Sequence, residues 1–440
     1  MFDIAQMISC GTAPPPAAAE MPGDTSSRQR DKNSAPTGTD PTAALANLTL
    51  RSISVPAAEK PHMVLSNVHL QRGEQALTPL NHEAWRDMLR RANLLDKYTT
   101  IPPSILHGFR ADIPIITYTY TPPNRILLPE HQAAFKEIIE KELQKGRWLG
   151  PFSQHTIESV LGPFQTSPVS IVPKSGRPGR FRLVQNLSYP HSPTLLNPLS
   201  DVTISSINSN IDSSLYPCLW GTFANTCRLL WTLPPGSQGA VRDVSEAYRT
   251  IPLHPSQWPG AVVRLSDNDN FAVDTCNMFG LSSAPGIFGH VADAGVEIFR
   301  SQGIGPLTKW VDDHLWLRVR REWLDKANAI REELREHVKT SGGFMKVKGG
   351  LLCVGETLPL GRQEEFDDDF SFALSDLSQL SPRSQEDKKF TYAFCDIDQI
   401  SSRLGYLWEH TKDIQFGYEP VYFGLQWHIN VMRVLVPGEK

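Results

Sequence analysis

The feature that most constrains the fold of this 440-residue chain is a pair of adjacent acids between two apolar, strand-like halves. Asp312 and Asp313 interrupt a run of strand character that extends from Leu307 to Val319. A short polar break of this kind predicts an antiparallel hairpin with both carboxylates at its tip. Oxygen ligands held by a rigid hairpin suit hard cations such as Mg²⁺. The alternative interpretation is an ordinary solvated turn.

A third acid upstream favours a metal site over a solvated turn. Residues 239–244 have the character of a short buried strand, with Asp243 near its end, and helix-prone residues follow. A strand ending in an acid, beside a hairpin that carries two more, can bring three carboxylates around two metal ions about 3.5–4 Å apart. One ion would activate a 3′-hydroxyl, and the other would hold phosphates and stabilise departing pyrophosphate. The acidic run 367–369 lacks such a partner, and we interpret it as a charged loop.

Composition sets outer limits on the class of protein. Hydrophobic residues make up 40% of the chain and charged residues 20%, and no apolar run approaches the roughly 18 residues of a membrane span. The N-terminus lacks the basic and apolar pattern of a secretory signal. The six cysteines are scattered without Cys-x-x-Cys spacing, which fits a reducing compartment. We therefore predict an intracellular protein of the cytoplasm or nucleus that does not associate with membranes.

The chain divides into three regions by composition and periodicity. Residues 1–60 are rich in Pro, Ala, Ser and Thr, and we predict that they are disordered. Residues 61–125 are predicted to be a helical and connector region, with helical spacing over 82–95. Residues 126–440 form the main unit, in which we interpret an acidic stretch at about 321–402 as an insertion of unknown role. The elements predicted in this unit are helices over 129–145, 286–293 and 322–339, and strand pairs over 168–184 and 307–319.

Several stretches resemble the motifs of reverse transcriptases, in the order and spacing of that family. Residues 243–253, Asp-Val-Ser-Glu-Ala-Tyr-Arg-Thr-Ile-Pro-Leu, resemble the first palm motif, and residues 278–288 resemble the second. Trp310-Val311-Asp312-Asp313 is similar to the third, with Trp where Tyr or Phe is usual. The remaining similarities are to the fingers hairpin, the fourth motif and the primer grip, at residues 167–184, 404–412 and 421–427. The resemblance covers about 78–440 and is strongest to fungal retroelements.

This resemblance implies a fold, an activity and a set of partners. The implied fold is α+β, with right-hand polymerase fingers and palm, in which a small antiparallel sheet is backed by helices behind a disordered N-terminal segment. The implied activity is RNA-directed DNA polymerisation by two-metal nucleotidyl transfer, with two Mg²⁺ ions or Mn²⁺ as the alternative. The implied partners are an RNA/DNA template–primer and deoxynucleoside triphosphates; the oligomeric state stays open.

The resemblance also implies roles for single residues. Metal ligands would be Asp243, Val244, Asp312 and Asp313, and Lys412 would be the general acid that protonates pyrophosphate. Residues in contact with the incoming nucleotide would be Lys174, Arg182, Tyr248, Phe279, Gly280 and Pro285, and the primer grip would include Phe423 and Gly424. Tyr248 would be the steric gate that excludes a ribose 2′-hydroxyl; the alternative is a core aromatic. For Lys412 the alternative is a solvated surface lysine, with Lys346 or Lys348 as competitors for its role.

Departures from the family pattern keep a second function open. Roughly 80 residues separate Asp313 from the fourth motif, and Asn186 stands where retroelement sequences often have Asp. No thumb sequence follows the primer-grip motif before Lys440. These departures favour a truncated or catalytically decayed fragment that only binds nucleic acid. An RNA-dependent RNA polymerase is a third interpretation, and Tyr248 argues against it because its ring would exclude ribonucleotides.

Overall fold

The computed structural model describes residues 2–3, 78–126, 128–174, 178–340, 344–347, 351–357, 363–366 and 370–438. These residues form a mixture of helices and small antiparallel sheets. The predicted disordered segment and the acidic run 367–369 therefore lie almost wholly outside the described residues. None of the helices in the described ranges is long and apolar enough to cross a membrane.

The helices and strands follow one another along the chain in a mixed order. The helices are α1 His82–Arg91, α2 Ile101–His107, α3 Pro129–Gln144, α4 Gln154–Leu161, α5 Phe223–Trp231, α6 Ala284–Ser301, α7 Leu324–Thr340 and α8 Phe394–Leu404. The strands are β1 Phe2–Asp3, β2 Trp148–Phe152, β3 Val169–Pro173, β4 Phe181–Gln185, β5 Thr194–Leu195, β6 Thr203–Ile204, β7 Gln238–Asp243, β8 Val262–Ser266, β9 Asn270–Asp274, β10 Leu307–Trp310, β11 Asp313–Arg318, β12 Phe344–Val347, β13 Leu351–Thr357, β14 Gln363–Phe366, β15 Ile414–Gly417, β16 Val421–Tyr422, β17 Leu425–His428 and β18 Arg433–Leu435.

A four-stranded antiparallel sheet in the order β10-β11-β7-β15 forms the centre of the molecule. Strand β7 lies between two neighbours and is buried along nearly its whole length. The predicted hairpin is confirmed, because β10 and β11 pair from Leu307↔Trp316 to Trp310↔Asp313. The turn contains Val311 at φ 54°, a left-handed conformation that is costly for a β-branched residue. Tight packing around the tip must hold this turn in place.

Helices cover this sheet, as the α+β prediction requires. Helix α6 is buried along most of its length, and Phe299 packs edge-on against Trp316 of β11 at 4.9 Å between ring centroids. Helix α8 lies behind the same strands. Trp408, which follows this helix, contacts Trp316 at 5.7 Å and donates its indole N–H to Ser401 of α8. Buried aromatic pairs of this kind add roughly 0.5–1.5 kcal/mol beyond the area that they bury.

The strand pair predicted over 168–184 is also present, and we refer to it as the fingers hairpin after the motif that it resembles. Strands β3 and β4 pair from Val169↔Gln185 to Pro173↔Phe181. Helix α3 packs on this hairpin through Phe135, in a small separate core that includes Ile171. Next to the hairpin lies a three-stranded sheet in the order β2-β9-β8, which the sequence analysis did not predict.

The described part of the predicted helical and connector region, from residue 78 onward, contributes to the main core. Asn81 caps α1 by accepting hydrogen bonds from the backbone N–H groups of Glu83 and Ala84. Trp85 on the same helix is fully buried and donates to the carbonyl of Leu404 at 3.0 Å. Helix α1 is therefore hydrogen-bonded to the end of α8, although more than 300 residues separate them in the sequence.

The structure gives a role to the described part of the acidic segment. Tyr392 is fully buried and donates its hydroxyl to the carbonyl of Leu317 on β11 at 2.8 Å. Arg318, at the end of β11, pairs with Asp387 at 2.7 Å and lies against the ring of Phe390 at 4.1 Å. Phe390 and Tyr392 thus belong to the buried core on the back of the central sheet. The insertion at about 321–402 stays a prediction, because these contacts show packing on the sheet and do not test the spacing of the motifs.

A second four-stranded sheet, in the order β1-β18-β17-β16, lies at the end of the chain. Its outer strand is the N-terminal segment Phe2–Asp3, which pairs with Val434 and Arg433 of β18. This is the described exception to the disorder that we predicted for residues 1–60. Of the two lysines considered as competitors of Lys412, Lys346 lies on β12 and Lys348 lies outside the described residues.

Candidate active site

Three carboxylates meet at one end of the central sheet. Asp243, the last residue of β7, is the direct partner of Asp313, the first residue of β11. Side chains of directly paired residues project from the same face of a sheet and lie close together. Asp312 precedes Asp313 in the hairpin turn, and its carbonyl accepts a 3.0 Å hydrogen bond from the backbone N–H of Val244. The turn is therefore fixed to the end of β7, and all three acids are half-buried.

The three acids repel one another in a partly desolvated place. Burial raises the pKa of Asp312, and the charge of Asp243 raises it further. Burial, followed by the charges of Asp312 and Asp243, raises the pKa of Asp313 to about 6. Both effects disfavour the charged carboxylate. A cation at this end of the sheet would relieve the repulsion.

Lys412 supplies a positive charge to this group. Its ammonium donates to Asp243 Oδ1 at 2.8 Å. Burial lowers the pKa of Lys412, but the hydrogen bond and charge of Asp243 outweigh that effect, and the net shift is upward. Lys412 lies in a short 3-10 helix, His410–Lys412, which is joined to β7 by a 2.8 Å hydrogen bond from the Glu409 N–H to the Asp243 carbonyl.

The opposite face of the two central strands carries a buried polar group that sequence reasoning missed. His314 and Arg242 are direct partners on β11 and β7, and each is 1% exposed. Nδ1 of His314 lies 3.1 Å from the carbonyl oxygen of Asp312. The rings of Trp316, Tyr406 and Trp408 surround the imidazole. Alternation along each strand is the one signal that could have placed these residues behind the acids.

We expect His314 to make the protein sensitive to acid. Burial lowers the pKa of His314 to about 3, against about 6.5 in an unfolded chain. As the pH falls from about 6.5 towards 3, the unfolded chain takes up a proton that the folded protein does not, so the free energy of unfolding decreases. Wild-type protein should lose up to about 1.4 kcal/mol per pH unit more than His314→Gln over this range. Urea unfolding at pH 7, 5.5 and 4.5 gives the free energy of unfolding of both proteins. An equal dependence of that free energy on pH in wild type and His314→Gln would contradict the prediction.

Tyr248 and Phe279, two of the residues predicted to contact the incoming nucleotide, lie side by side. Tyr248 is half-buried, with its ring 5.0 Å from that of Phe279 and 5.6 Å from that of Phe288. Burial and then the charge of Asp312 raise the pKa of Tyr248 to about 12, so its hydroxyl stays protonated at neutral pH. Phe279 is 53% exposed, and Pro285 is exposed in the first turn of α6. An apolar, solvent-facing surface therefore adjoins the acids.

Gly280 is required where the loop before α6 meets the fingers hairpin. It has φ 101°, and a Cβ at this position would lie 2.6 Å from the carbonyl oxygen of Gln185 at the end of β4. Asn208 holds the same loop, because its amide donates to the Gly280 carbonyl at 2.8 Å and accepts from the Ser282 N–H at 2.9 Å. Asn208 is a second residue that sequence reasoning missed, and no local pattern distinguishes it.

The two predicted cations of the fingers are exposed at the outer end of their hairpin. Lys174 follows β3, Arg182 lies on β4, and both side chains face solvent. Within the described ranges, neither forms a hydrogen bond or ion pair with the three acids. Their predicted contact with a triphosphate stays a prediction.

The predicted primer-grip turn lies against the hairpin that carries two of the acids. Phe423 and Gly424 form a two-residue turn between β16 and β17, with φ angles of 59° and 70°. Two positive φ angles in succession are typical of a tight hairpin, and Gly is favoured there. The ring of Phe423 packs edge-on against that of Trp310 at 4.5 Å between centroids, and the ring of Trp220 lies 6.2 Å from that of Trp310. The result is a partly exposed aromatic surface beside Asp312.

The carboxylates have the right chemistry for Mg²⁺ but are not in a ligating arrangement. Among the described residues, no group of three or more His, Cys, Asp or Glu side chains could hold a metal ion as it stands. Lys412 occupies Oδ1 of Asp243, so this oxygen is engaged by the ammonium group. The oxygen donors and the repulsion between them fit a divalent cation, provided that the side chains rotate and Lys412 shares Asp243 with it.

Comparisons with known proteins give a distant structural likeness. No family model matches the chain, and no curated protein matches it. A foamy viral protease-reverse transcriptase bound to double-stranded DNA matches with a TM-score of 0.38 and 14% identity, covering 88% of this chain and 49% of that one. The foamy viral enzyme in complex with an RNA/DNA hybrid matches with a TM-score of 0.37 and 14% identity, covering 86% and 36%. The chain thus spans half or less of the length of these two proteins. Likeness at this level establishes neither a family nor an activity.

Proposed function

We propose that this chain is an RNA-directed DNA polymerase that joins deoxynucleotides to a primer by two-metal nucleotidyl transfer. The observation that carries the proposal is the pairing of Asp243 with Asp313, with Asp312 fixed beside them. Asp243 and the adjacent pair Asp312 and Asp313 lie far apart in the sequence, in two stretches that resemble polymerase motifs, yet they share one end of one sheet. If Asp312 and Asp313 formed only a solvated turn, nothing would require a neighbouring strand, β7, to end in a third acid beside them.

Each part of the surrounding surface supports a step of this reaction. Two Mg²⁺ ions held by Asp243, Asp312, Asp313 and the backbone of Val244 would supply charge neutralisation and an activated 3′-hydroxyl. Tyr248 and Phe279 would lie against the sugar and base of the incoming nucleotide. Lys412, protonated beside Asp243, would deliver its proton to the departing pyrophosphate. Lys174 and Arg182 would meet the triphosphate if the fingers hairpin closes on it.

Primer extension tests the proposal directly. The full chain is incubated with oligo(dT) on poly(rA), dTTP and Mg²⁺, and we expect extension that disappears when EDTA removes the metal. A protein that binds the hybrid, with an affinity that falls as salt rises, but does not extend the primer with Mg²⁺ or Mn²⁺ is the nucleic-acid-binding remnant. A protein that does neither contradicts both functions.

A further inference from the structure

A buried arginine with no assigned role lies behind β7, the strand that ends in Asp243. Arg242 directly precedes Asp243 on β7, and the alternation of the strand directs the two side chains to opposite faces. The side chain of Arg242 is 1% exposed. A buried guanidinium is costly unless hydrogen bonds and opposite charges surround it, so its partners reveal what it holds.

Those partners come mainly from the turn that carries Lys412. Arg242 donates from Nε and Nη2 to the two carboxylate oxygens of Asp413, at 3.1 and 2.9 Å, in the strong bidentate geometry. Nη2 also lies 2.9 Å from His410 Nδ1. The remaining donor, Nη1, meets Asp398 of α8 at 2.6 Å, and the ring of Phe394 lies 4.3 Å from the guanidinium carbon.

The same turn is therefore held from two sides of the sheet. Asp413 and His410 bind Arg242 behind β7, while Lys412 between them reaches Asp243 in front at 2.8 Å. Lys412 is 44% exposed, and an exposed lysine side chain loses conformational entropy when it is held in one geometry. The contact between Lys412 and Asp243 can therefore persist only if the backbone of Lys412 is itself held in position.

We propose that Arg242 is a positioning residue that sets Lys412 on Asp243. The contact itself is independent of activity, whereas its consequence for proton delivery to pyrophosphate rests on the proposed polymerase function. If Arg242 only stabilised the back of the sheet, removal of its contacts would weaken all nearby ion pairs to a similar extent. A positioning arginine affects the Lys412–Asp243 contact selectively, and it acts through Asp413 more than through Asp398.

A zero-length carbodiimide crosslink measures the contact without metal or substrate. The reagent activates the carboxyl group of Asp243, the Lys412 amine attacks it, and an amide bond forms as the urea leaves and the amine loses a proton. Peptide mass spectrometry quantifies the linked pair. The ion pair between Lys145 and Glu246, at 2.7 Å, has a similarly exposed lysine and no contact with Arg242, so it is the internal control.

Two matched variants decide the question. Asp413→Asn should lower the yield of the Lys412–Asp243 crosslink about tenfold, as expected for loss of a bidentate charged pair. Asp398→Asn, which removes only the bond to α8, should leave that yield within about twofold of wild type. Arg242→Met should behave like Asp413→Asn, and if it does not fold, the two aspartate variants carry the test. A wild-type yield in folded Asp413→Asn would overturn the proposal, and so would equal losses in both variants or a parallel loss of the control crosslink.

Discussion

Asp313→Asn should reduce primer extension by at least about 1000-fold, because a carboxylate that holds a catalytic metal contributes several kcal/mol to the transition state. The same substitution should leave the melting temperature unchanged or raise it. Burial and the charges of Asp312 and Asp243 raise the pKa of Asp313 to about 6, so its ionised form destabilises the folded protein at neutral pH. Loss of activity without loss of stability separates a catalytic acid from a structural one.

The measurement combines initial rates of extension with thermal unfolding, with and without Mg²⁺. Wild-type protein should melt at a higher temperature with Mg²⁺, because a ligand that binds only the folded state stabilises it. Asp313→Asn should lose this response. Asp201→Asn, at an exposed acid away from the site, is the matched control and should keep both properties. An Asp313→Asn protein with full activity would show that the three acids do not form the proposed centre.

Tyr248→Ala should admit ribonucleotides, with the ratio of deoxynucleotide to ribonucleotide incorporation falling roughly 100-fold, the scale on which a pocket distinguishes one hydroxyl group. The reason is steric, since under the proposed function the ring would fill space that a 2′-hydroxyl needs. Tyr248→Phe should keep the wild-type ratio, because the ring and not its hydroxyl excludes the ribose. Metal binding should be unaffected in both variants, since no carboxylate changes.

The position of Tyr248 also predicts a modest cost in stability. The ring packs against buried Phe288 on one side and exposed Phe279 on the other, so it is only half-buried. Truncation to Ala should therefore cost less than the roughly 3–5 kcal/mol of a fully buried aromatic residue. Melting temperatures measured beside the incorporation ratios separate the two roles. An unchanged ratio in a folded Tyr248→Ala protein would leave Tyr248 as a packing residue alone.

Local sequence patterns were sufficient for the elements that carry the site. The break at Asp312 and Asp313 between apolar halves predicted the hairpin, and the structure confirms it. The periodicity over 129–145 predicted α3, which ends at Gln144 just before Gly146. Such elements are accessible because period, turn residues and caps all lie within a few residues of one another. The acidic stretch that leads into α8 was harder, because its composition indicated only an insertion of unknown role, although Tyr392 before α8 and Asp396 within it are buried.

What the sequence alone determined is which acids stand at strand ends and which short elements hold them, because strand alternation and the tight turn are local properties. What only the tertiary structure decided is how these elements meet: the pairing of Asp243 with Asp313, the hold of Asn208 on the Gly280 loop, and the placement of Lys412 by Arg242. Arg242 and Asp413 are 171 residues apart, and nothing near either residue specifies the other. Burial of a charge requires a partner, but only the packed chain determines which one it meets.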